Sequence, residues 1–236
     1  MEKVSIIIPF YNCPYIPYAI ESALCQTYPH TEIIVVDDGS VHHVEKLQPY
    51  LSRIRYIRKE NNGTASALNV GIRNATGAYF AWLSSDDEYM PDKIEKQLAF
   101  MQAHNAAVSY TGYFHIDADH QIVGQYAVHF PRKLDFYQSM MRGCHINGCT
   151  VMMKMEVFQT VGEFHENLRY AQDYDFWLRA LPCYEFHFLS DPLVRYRVHD
   201  NMGTKKFQSV IPEEINRVRA QHYSVLLTLM RAESRK

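Results

Sequence analysis

Short apolar runs alternate with amphipathic helical patterns through the first 104 residues of the chain. The apolar runs predict strands at residues 4–8, 32–36, 54–58 and 79–83. The helical patterns lie at residues 14–26, 41–51 and 65–74 and after Pro91. Uninterrupted apolar strands are typical of a sheet that is covered on both faces. The alternation therefore predicts an α/β fold with a mostly parallel central sheet, flanked by helices that make right-handed crossovers.

Two of these strands run directly into a pair of adjacent carboxylates. Asp37-Asp38 follows the second strand and Asp86-Asp87 follows the fourth. Neighbouring carboxylates repel each other unless a cation or a hydrogen-bond network stabilises them. A single such pair is commonly just a solvated turn. Because parallel strands end at a common edge, where open α/β sheets bind their ligands, the repetition favours one binding site that includes both pairs.

The pattern after residue 105 is more mixed. It predicts strands at residues 108–116, 122–128, 149–153, 186–189 and 193–198, and helices at residues 134–141, 156–161, 168–181 and 213–232. No linker or repeat separates the two halves. We therefore expect residues 105–236 to extend the sheet of residues 1–104 within a single merged domain.

Composition limits the class of protein. A hydrophobic content of 47%, a charged content of 21% and a net charge of −2 are typical of a globular protein and give no bulk attraction to nucleic acid. The five cysteines lack paired zinc spacing, so we expect reduced thiols. We find no signal peptide, and no apolar run approaches about 18 residues. We expect a cytoplasmic protein without a transmembrane segment.

Contact with the inner face of a membrane is a further possibility. The predicted C-terminal helix and the residues after it carry the cations Arg217, Arg219, Arg231, Arg235 and Lys236. Such a cationic surface could contact anionic lipid, although a solvated helix face is the commoner reason for this pattern.

Several segments, taken together, resemble glycosyltransferase family 2. They are VSIIIPFYN at residues 4–12, IVVDDGS at 34–40, NNGTASALN at 61–69, WLSSDD at 82–87, GEF at 162–164, AQDYDFWLR at 171–179 and YRVH at 196–199. Each is weak alone, but their order and spacing match the family. The resemblance implies an inverting, nucleotide-sugar-dependent enzyme with the GT-A fold. Residues 1–104 would then bind the nucleotide sugar, and residues 105–236 would provide the acceptor and catalytic half.

The resemblance also implies a divalent cation at the second carboxylate pair. Asp87 would bind Mg²⁺ or Mn²⁺, and Asp86 would face the ribose or the sugar. A hard cation suits carboxylate ligands and can stabilise a diphosphate leaving group. His199 follows the last predicted strand and would complete the metal or phosphate site, although a structural role is equally open. Arg195 and Arg197 are alternative contacts for the phosphates.

The nucleotide would bind at the ends of the first two strands. Asp38 can accept a hydrogen bond from N3–H of uracil or thymine. Pro9, Tyr11 and Asn12 would line the same pocket, with the Tyr11 ring available to stack on the base. Asn62, Gly63 or Asn69 would reach the sugar or the base. An ordinary turn at the strand end is the alternative explanation for residues 9–12.

The acceptor hydroxyl must lose its proton as it attacks the anomeric carbon, and a carboxylate suits that task. Family members usually carry Glu-Asp in the AQDYDFWLR region, and the Asp is the base. This chain has Gln172-Asp173 there, so the resemblance assigns the base to Asp173, while the usual Glu is replaced. We expect Asp175, two residues further, to be a structural partner. Capping of a helix is the alternative role for Asp173.

The predicted function is transfer of one sugar from a nucleotide-diphosphate sugar, with a UDP-sugar as the favoured donor, to a hydroxyl of a glycan or a lipid-linked acceptor. The Gln-x-x-Arg-Trp signature of processive synthases is missing, which favours one transfer per encounter. Two alternatives stay open. One is a sugar-phosphate nucleotidyltransferase, although residues 8–11 lack the glycine and the charge of its triphosphate loop. The other is a non-catalytic module that binds a nucleotide sugar.

Overall fold

Nine strands form one sheet within residues 1–235, the part of the chain that the computed structural model describes. In chain order they are β1 (Val4–Phe10), β2 (Thr31–Asp37), β3 (Arg55–Arg58), β4 (Tyr79–Trp82), β5 (Glu88–Tyr89), β6 (Val108–Ile116), β7 (Ile122–Tyr126), β8 (Met152–Lys154) and β9 (Phe186–Arg197). Across the sheet the order is β3-β2-β1-β4-β8-β6-β9-β5, and β7 pairs with β6 outside this path.

Helices cover the sheet between these strands. They are α1 (Ile16–Leu24), α2 (Thr64–Asn74), α3 (Lys93–Ala103), α4 (Lys133–Met140), α5 (Glu156–Val161), α6 (Gln172–Ala180), α7 (Gly203–Lys206) and α8 (Ile211–Glu233). The helix predicted at residues 41–51 is a 3-10 helix, Val44–Tyr50, with Pro49 inside it. A proline removes a backbone donor, so this segment cannot form a regular α-helix throughout.

The parallel arrangement predicted for the first half is confirmed. β1 lies between β2 and β4 and pairs in parallel with both, and β2 pairs in parallel with β3. β1 continues past its predicted end to Phe10. Its register with β4 ends at Ile7, so the proline at position 9 interrupts no pairing on that side.

Helix α2 lies close to β1, and Gly71 in its interior is the point of contact. A Cβ atom added at Gly71 would lie 2.4 Å from Cγ2 of Ile7. The helix begins at Thr64, and its N-cap is Gly63 at φ +89°. Glycine adopts this φ without the strain that a side chain would cause.

The second half makes the sheet mixed. β8 is antiparallel to β4 and to β6, β7 is antiparallel to β6, and β5 is antiparallel to β9. β6 and β9 are parallel. Because β8 is antiparallel to both of its neighbours, β4 and β6 run in the same direction. β9, which is parallel to β6, shares this direction. The carboxyl ends of β1, β2, β4, β6 and β9 therefore lie at one edge of the sheet.

Three predicted elements have different bounds. The strands predicted at residues 186–189 and 193–198 form a single strand, β9. Its pairing with β6 continues through a register shift around Gly112, where the residues just before Pro192 are left out of the register. The strand predicted at residues 149–153 is a 3-10 turn, Gly148–Thr150, followed by β8. The helix predicted from residue 168 begins at Gln172.

None of the helices described in residues 1–235 is both long enough and apolar enough to span a membrane. Arg217, Arg231 and Arg235 are exposed at the C-terminal end of the chain, and Lys236 lies outside the described residues. Membrane contact stays a prediction.

Candidate active site

Asp87 is buried below the edge of the sheet. Only 1% of the residue is exposed, and its Oδ1 accepts the backbone N–H of Arg197 at 2.8 Å. Its Oδ2 accepts the thiol of Cys149 at 3.0 Å. Burial, followed by the charge of Asp86, raises the pKa of Asp87 well above its ordinary value. Both oxygens thus hold β9 and the 148–150 turn, and the geometry does not favour the metal role that the resemblance gives Asp87.

Asp86 is the more accessible member of the pair. Its Oδ2 lies 3.1 Å from Nε2 of His199, and 27% of its side chain is exposed. The ring of Tyr15 packs against the imidazole at a centroid distance of 5.1 Å. The structure therefore brings His199 to Asp86. Within residues 1–235 there is no group of three or more His, Cys, Asp or Glu side chains that could hold a metal ion.

Arg197 supports this pair from inside the protein. It is fully buried, and its Nε donates to the carbonyl of Asp86 at 2.9 Å. Its Nη2 pairs with Glu88, and its guanidinium lies 4.5 Å from the centroid of the Tyr15 ring. The interpretation of Arg197 as a phosphate contact is therefore wrong, because its charge is already neutralised by Glu88 in the interior.

The thiol of Cys149 has a polar environment. It contacts Asp87, and Ser84 Oγ lies 2.9 Å from it. Burial raises the pKa of Cys149, so the thiol keeps the proton that it donates to Asp87. No sequence pattern indicates this, because Cys149 and Asp87 are far apart in the chain.

Asp38 organises the loop that follows β3. Its Oδ1 accepts Lys59 Nζ at 2.6 Å and the backbone N–H of Asn62 at 3.0 Å. Its Oδ2 accepts the backbone N–H of Gly63 at 2.7 Å. The carboxylate is buried, and its hydrogen bonds are made within the protein. A direct contact with the base stays a prediction.

The residues at the end of β1 and just after it include both exposed and internal positions. Tyr11 is 54% exposed, and Pro9 is partly buried inside β1. Asn12 has a φ of +49°, and its Oδ1 accepts the backbone N–H groups of Val41 and His42, each at 2.8 Å. Asn12 therefore fixes the loop after Asp38, which leaves the Tyr11 ring free to stack on a ligand.

The side-chain amide of Asn69 also makes its hydrogen bonds within the protein. It is 2% exposed, and its Nδ2 donates to the carbonyl of Phe164 at 2.9 Å and to Glu166 at 3.0 Å. Its Oδ1 accepts the backbone N–H of Phe164 at 3.0 Å. The structure therefore does not present this amide to a ligand; it ties α2 to the 164–166 loop.

Asp173 lies partly buried in the first turn of α6. Its Oδ1 accepts the backbone N–H of Tyr174 at 2.7 Å, whereas the one hydrogen-bond partner of Oδ2 among residues 1–235 is the distant thiol of Cys144, at 3.9 Å. Burial raises the pKa of Asp173 to about 6. A carboxylate with this pKa is ionised at neutral pH and still has appreciable affinity for a proton, which suits a general base. Asp175 is a structural partner, as expected, since it pairs with Arg179 and His222.

Glu214 of α8 holds the segment that leads to Asp173. Its carboxylate accepts the backbone N–H groups of Arg169 at 3.0 Å, Tyr170 at 2.6 Å and Ala171 at 2.7 Å. These groups precede α6 and have no helical partner there. The sequence shows only an acidic first turn of a helix, so this role was missed.

The comparison with known families agrees with this arrangement. Residues 5–162, more than half of the chain, match the family described as glycosyl transferase family 2. This chain belongs to glycosyltransferase family 2. Membership argues against the nucleotidyltransferase alternative.

Family 2 relatives align along most of the chain. A glycosyltransferase of Rickettsia typhi described as uncharacterized is 41% identical over 208 residues, which cover 85% of this chain and 65% of the relative. The putative teichuronic acid biosynthesis glycosyltransferase TuaG of Bacillus subtilis is 35% identical and covers 87% of this chain and 83% of TuaG. The UDP-Glc:alpha-D-GlcNAc-diphosphoundecaprenol beta-1,3-glucosyltransferase WfaP of Escherichia coli is 35% identical, and the match covers 77% of this chain and 71% of WfaP. The chain spans less than two thirds of the Rickettsia relatives.

Solved structures share the fold of this family 2 chain. Crystal structures of TarS from S. aureus match it with a TM-score of 0.68 at 22% identity, over 84% of this chain and 37% of TarS. A structure of TarS 1–349 in complex with UDP matches with a TM-score of 0.67 at 20% identity, and the match covers 93% of this chain and 65% of the TarS chain. The predicted α/β fold of the GT-A type is confirmed.

Proposed function

We propose that the chain transfers one sugar from a UDP-sugar to a hydroxyl of a glycan or a lipid-linked saccharide, with inversion at the anomeric carbon. The observation that carries this proposal is Asp173, a carboxylate whose pKa is raised to about 6 and whose Oδ2, in the described part of the chain, contacts just the distant Cys144 thiol. The names of WfaP and TuaG and the TarS complexes with UDP and UDP-GlcNAc support the donor and acceptor classes.

Asp173 accepts the proton of the acceptor hydroxyl in this proposal. The hydroxyl attacks the anomeric carbon from the face opposite the diphosphate, so the configuration inverts. Oδ2 is the oxygen that receives the proton, because Oδ1 already accepts the N–H of Tyr174. The partial burial of the carboxyl keeps its proton affinity high enough for this transfer.

The donor diphosphate would lie at the Asp86–His199 pair. A carboxylate oxygen and an imidazole nitrogen, 3.1 Å apart at the accessible edge of the sheet, fit a divalent cation whose other ligands are phosphate oxygens and water. Mg²⁺ or Mn²⁺, when bound, would stabilise the negative charge of the departing UDP. In this proposal Asp86 takes the metal role that the resemblance assigns to Asp87, while Asp87 holds the end of β9, two residues before His199.

The nucleotide would lie across the ends of β1 and β2. The exposed ring of Tyr11 stacks on the base in this arrangement. Asp38 and Asn12 shape the pocket by fixing the 59–63 and 40–42 loops. We expect direct contacts with the base from the backbone of these loops or from the carboxylate of Asp38.

Calorimetry with a panel of UDP-, dTDP- and GDP-sugars, with and without Mn²⁺, tests the proposal. We expect a UDP-sugar to bind and the cation to increase its affinity. Replacing Asp86 with Asn should remove the effect of Mn²⁺, whereas the matched variant Asp119→Asn, in the exposed β6–β7 hairpin, should retain it. Binding of no donor, or equal affinity with and without Mn²⁺ in the unmodified protein, would contradict the proposal.

A further inference from the structure

Four aromatic side chains form a continuous surface on strands β6, β7 and β9. They are Tyr113, His115, Tyr126 and Tyr196, and we call this surface the aromatic platform. Tyr113 and Tyr126 are cross-strand partners with ring centroids 5.6 Å apart, and His115 and Tyr196 are partners at 5.5 Å. His115 also lies 4.0 Å from Tyr126. Cross-strand partners and residues two apart share one face of a sheet, so the rings lie side by side.

The platform begins beside the carboxylate pair. Tyr196 directly precedes Arg197, whose backbone N–H holds Asp87, and lies three residues before His199, which contacts Asp86. The charges of Asp87 and Asp86 add to burial in raising the pKa of Tyr196. The rings therefore extend outward from the candidate active site along the sheet.

The polar edges of three of the rings, those of Tyr113, His115 and Tyr126, are available to a ligand, whereas the Tyr196 hydroxyl bonds to Thr204. Tyr126 is 45% exposed, and the other three rings are partly exposed. In the described part of the chain, neither the hydroxyls of Tyr113 and Tyr126 nor the imidazole of His115 makes a hydrogen bond. Burial lowers the pKa of His115, so the imidazole is neutral at pH 7 and can both donate and accept.

We propose that the aromatic platform binds a sugar ring of the acceptor. The inference rests on the proposed function, since it names the partner of the same site. A pyranose offers C–H groups on its face and hydroxyls at its rim, which match ring faces bordered by hydroxyl and imidazole groups. A lipid chain or an apolar protein surface would leave those polar groups without partners. Adjacent platform positions on β6 are about 7 Å apart, which gives room for one or two sugar rings.

The variant Tyr126→Ala tests the platform with little risk to the fold, because the side chain is half exposed on an edge strand. Tyr223→Ala is the matched control, since Tyr223 is 49% exposed on α8, away from these strands. Labelled protein is applied, with UDP and Mn²⁺, to an array of immobilised bacterial and synthetic oligosaccharides. We expect the unmodified protein and Tyr223→Ala to bind the same glycans. Affinity should fall about three- to tenfold in Tyr126→Ala, while Tyr126→Phe keeps most of it.

Two further measurements decide between explanations. Calorimetric binding of UDP should be equal in all variants; its absence in the unmodified protein would contradict the proposed function instead of the platform. Unchanged glycan affinity in both Tyr126→Ala and Tyr113→Ala, or no glycan binding by unmodified protein that binds UDP, would overturn the inference. So would binding to vesicles of phosphatidylcholine and phosphatidylglycerol that depends on Tyr126, because it would assign the platform to lipid.

Discussion

Asp86 and Asp87 are neighbours in sequence, but their side chains face different surroundings. Asp87 is inside, where it accepts a backbone N–H and a thiol, and Asp86 is at the accessible edge with His199. The same division explains why Asp87 has the raised pKa: burial is the larger cause and the charge of Asp86 is the smaller one. One residue thus supports the edge of the sheet, and the other is available to a ligand.

Replacing each aspartate with asparagine separates these roles. Asp87→Asn should destabilise the fold by about 1–3 kcal/mol, because the new NH₂ group meets a buried donor. Asp86→Asn should change stability by less than about 0.5 kcal/mol, as surface substitutions usually do. Thermal denaturation of the two variants measures this difference. A larger loss of stability in Asp86→Asn than in Asp87→Asn would contradict the assignment.

If Asp173 is the base, as proposed, its pKa sets the pH dependence of transfer. Burial raises it from 3.8 to about 6, and only the ionised carboxylate can accept a proton. We expect kcat/KM to be low below pH 6, to rise with pH through a midpoint near 6 and to level off above it. The pH profile of UDP release from the bound donor measures this. A midpoint near 4 would show that the base has an ordinary carboxyl pKa.

At the scale of the element, α8 positions the start of α6. Glu214 lies on α8 and binds three successive backbone N–H groups immediately before Gln172 and Asp173. Residues 163–236, including both helices, lie beyond the segment matched by the family. Asp173, the proposed base, therefore lies next to a segment that is held by a contact with a helix far away in sequence.

Glu214→Gln should weaken this support while keeping the shape of the side chain. The charge of Glu214 is a minor cause of the raised pKa of Asp173, so the midpoint of the pH profile should move to lower pH. Glu214→Ala should also destabilise the fold by about 1–3 kcal/mol, because the backbone N–H groups of residues 169–171, which are partly or fully buried, lose their partner. The neighbouring, exposed Glu213→Gln is the matched control. An unchanged pH profile and unchanged stability in both Glu214 variants would exclude the positioning role.

The close contact between α2 and β1 at Gly71 can be tested in the same way. Gly71→Ala should destabilise the fold by about 1–3 kcal/mol, because the new Cβ would lie 2.4 Å from Ile7. Gly143→Ala is the control, since an added Cβ there has no neighbour within 4 Å among the described residues. Urea denaturation of both variants measures the difference. Equal stability of the two variants would contradict this, because it would mean that α2 can move away from β1 at no cost in the free energy of unfolding.

At the scale of the whole molecule, the parallel half and its acidic edge could be predicted because apolar runs and Asp pairs are local patterns. The position of β8 between β4 and β6 could not, since antiparallel pairing of a short strand depends on partners far away in the chain. Asp173 carries over from a motif. The internal roles of Asp87, Asn69 and Glu214 depend on contacts with distant segments, which no local pattern indicates.

The proposed function requires transfer from a nucleotide sugar with Asp173 as the base. The most direct test compares release of UDP from a panel of UDP-sugars by the unmodified protein and by Asp173→Asn, with Mn²⁺ present and with NMR assignment of the anomeric configuration of the product. We expect turnover of at least one donor with inversion, and loss of this turnover in Asp173→Asn while UDP still binds. Retained turnover in Asp173→Asn, or a product of retained configuration, would contradict it.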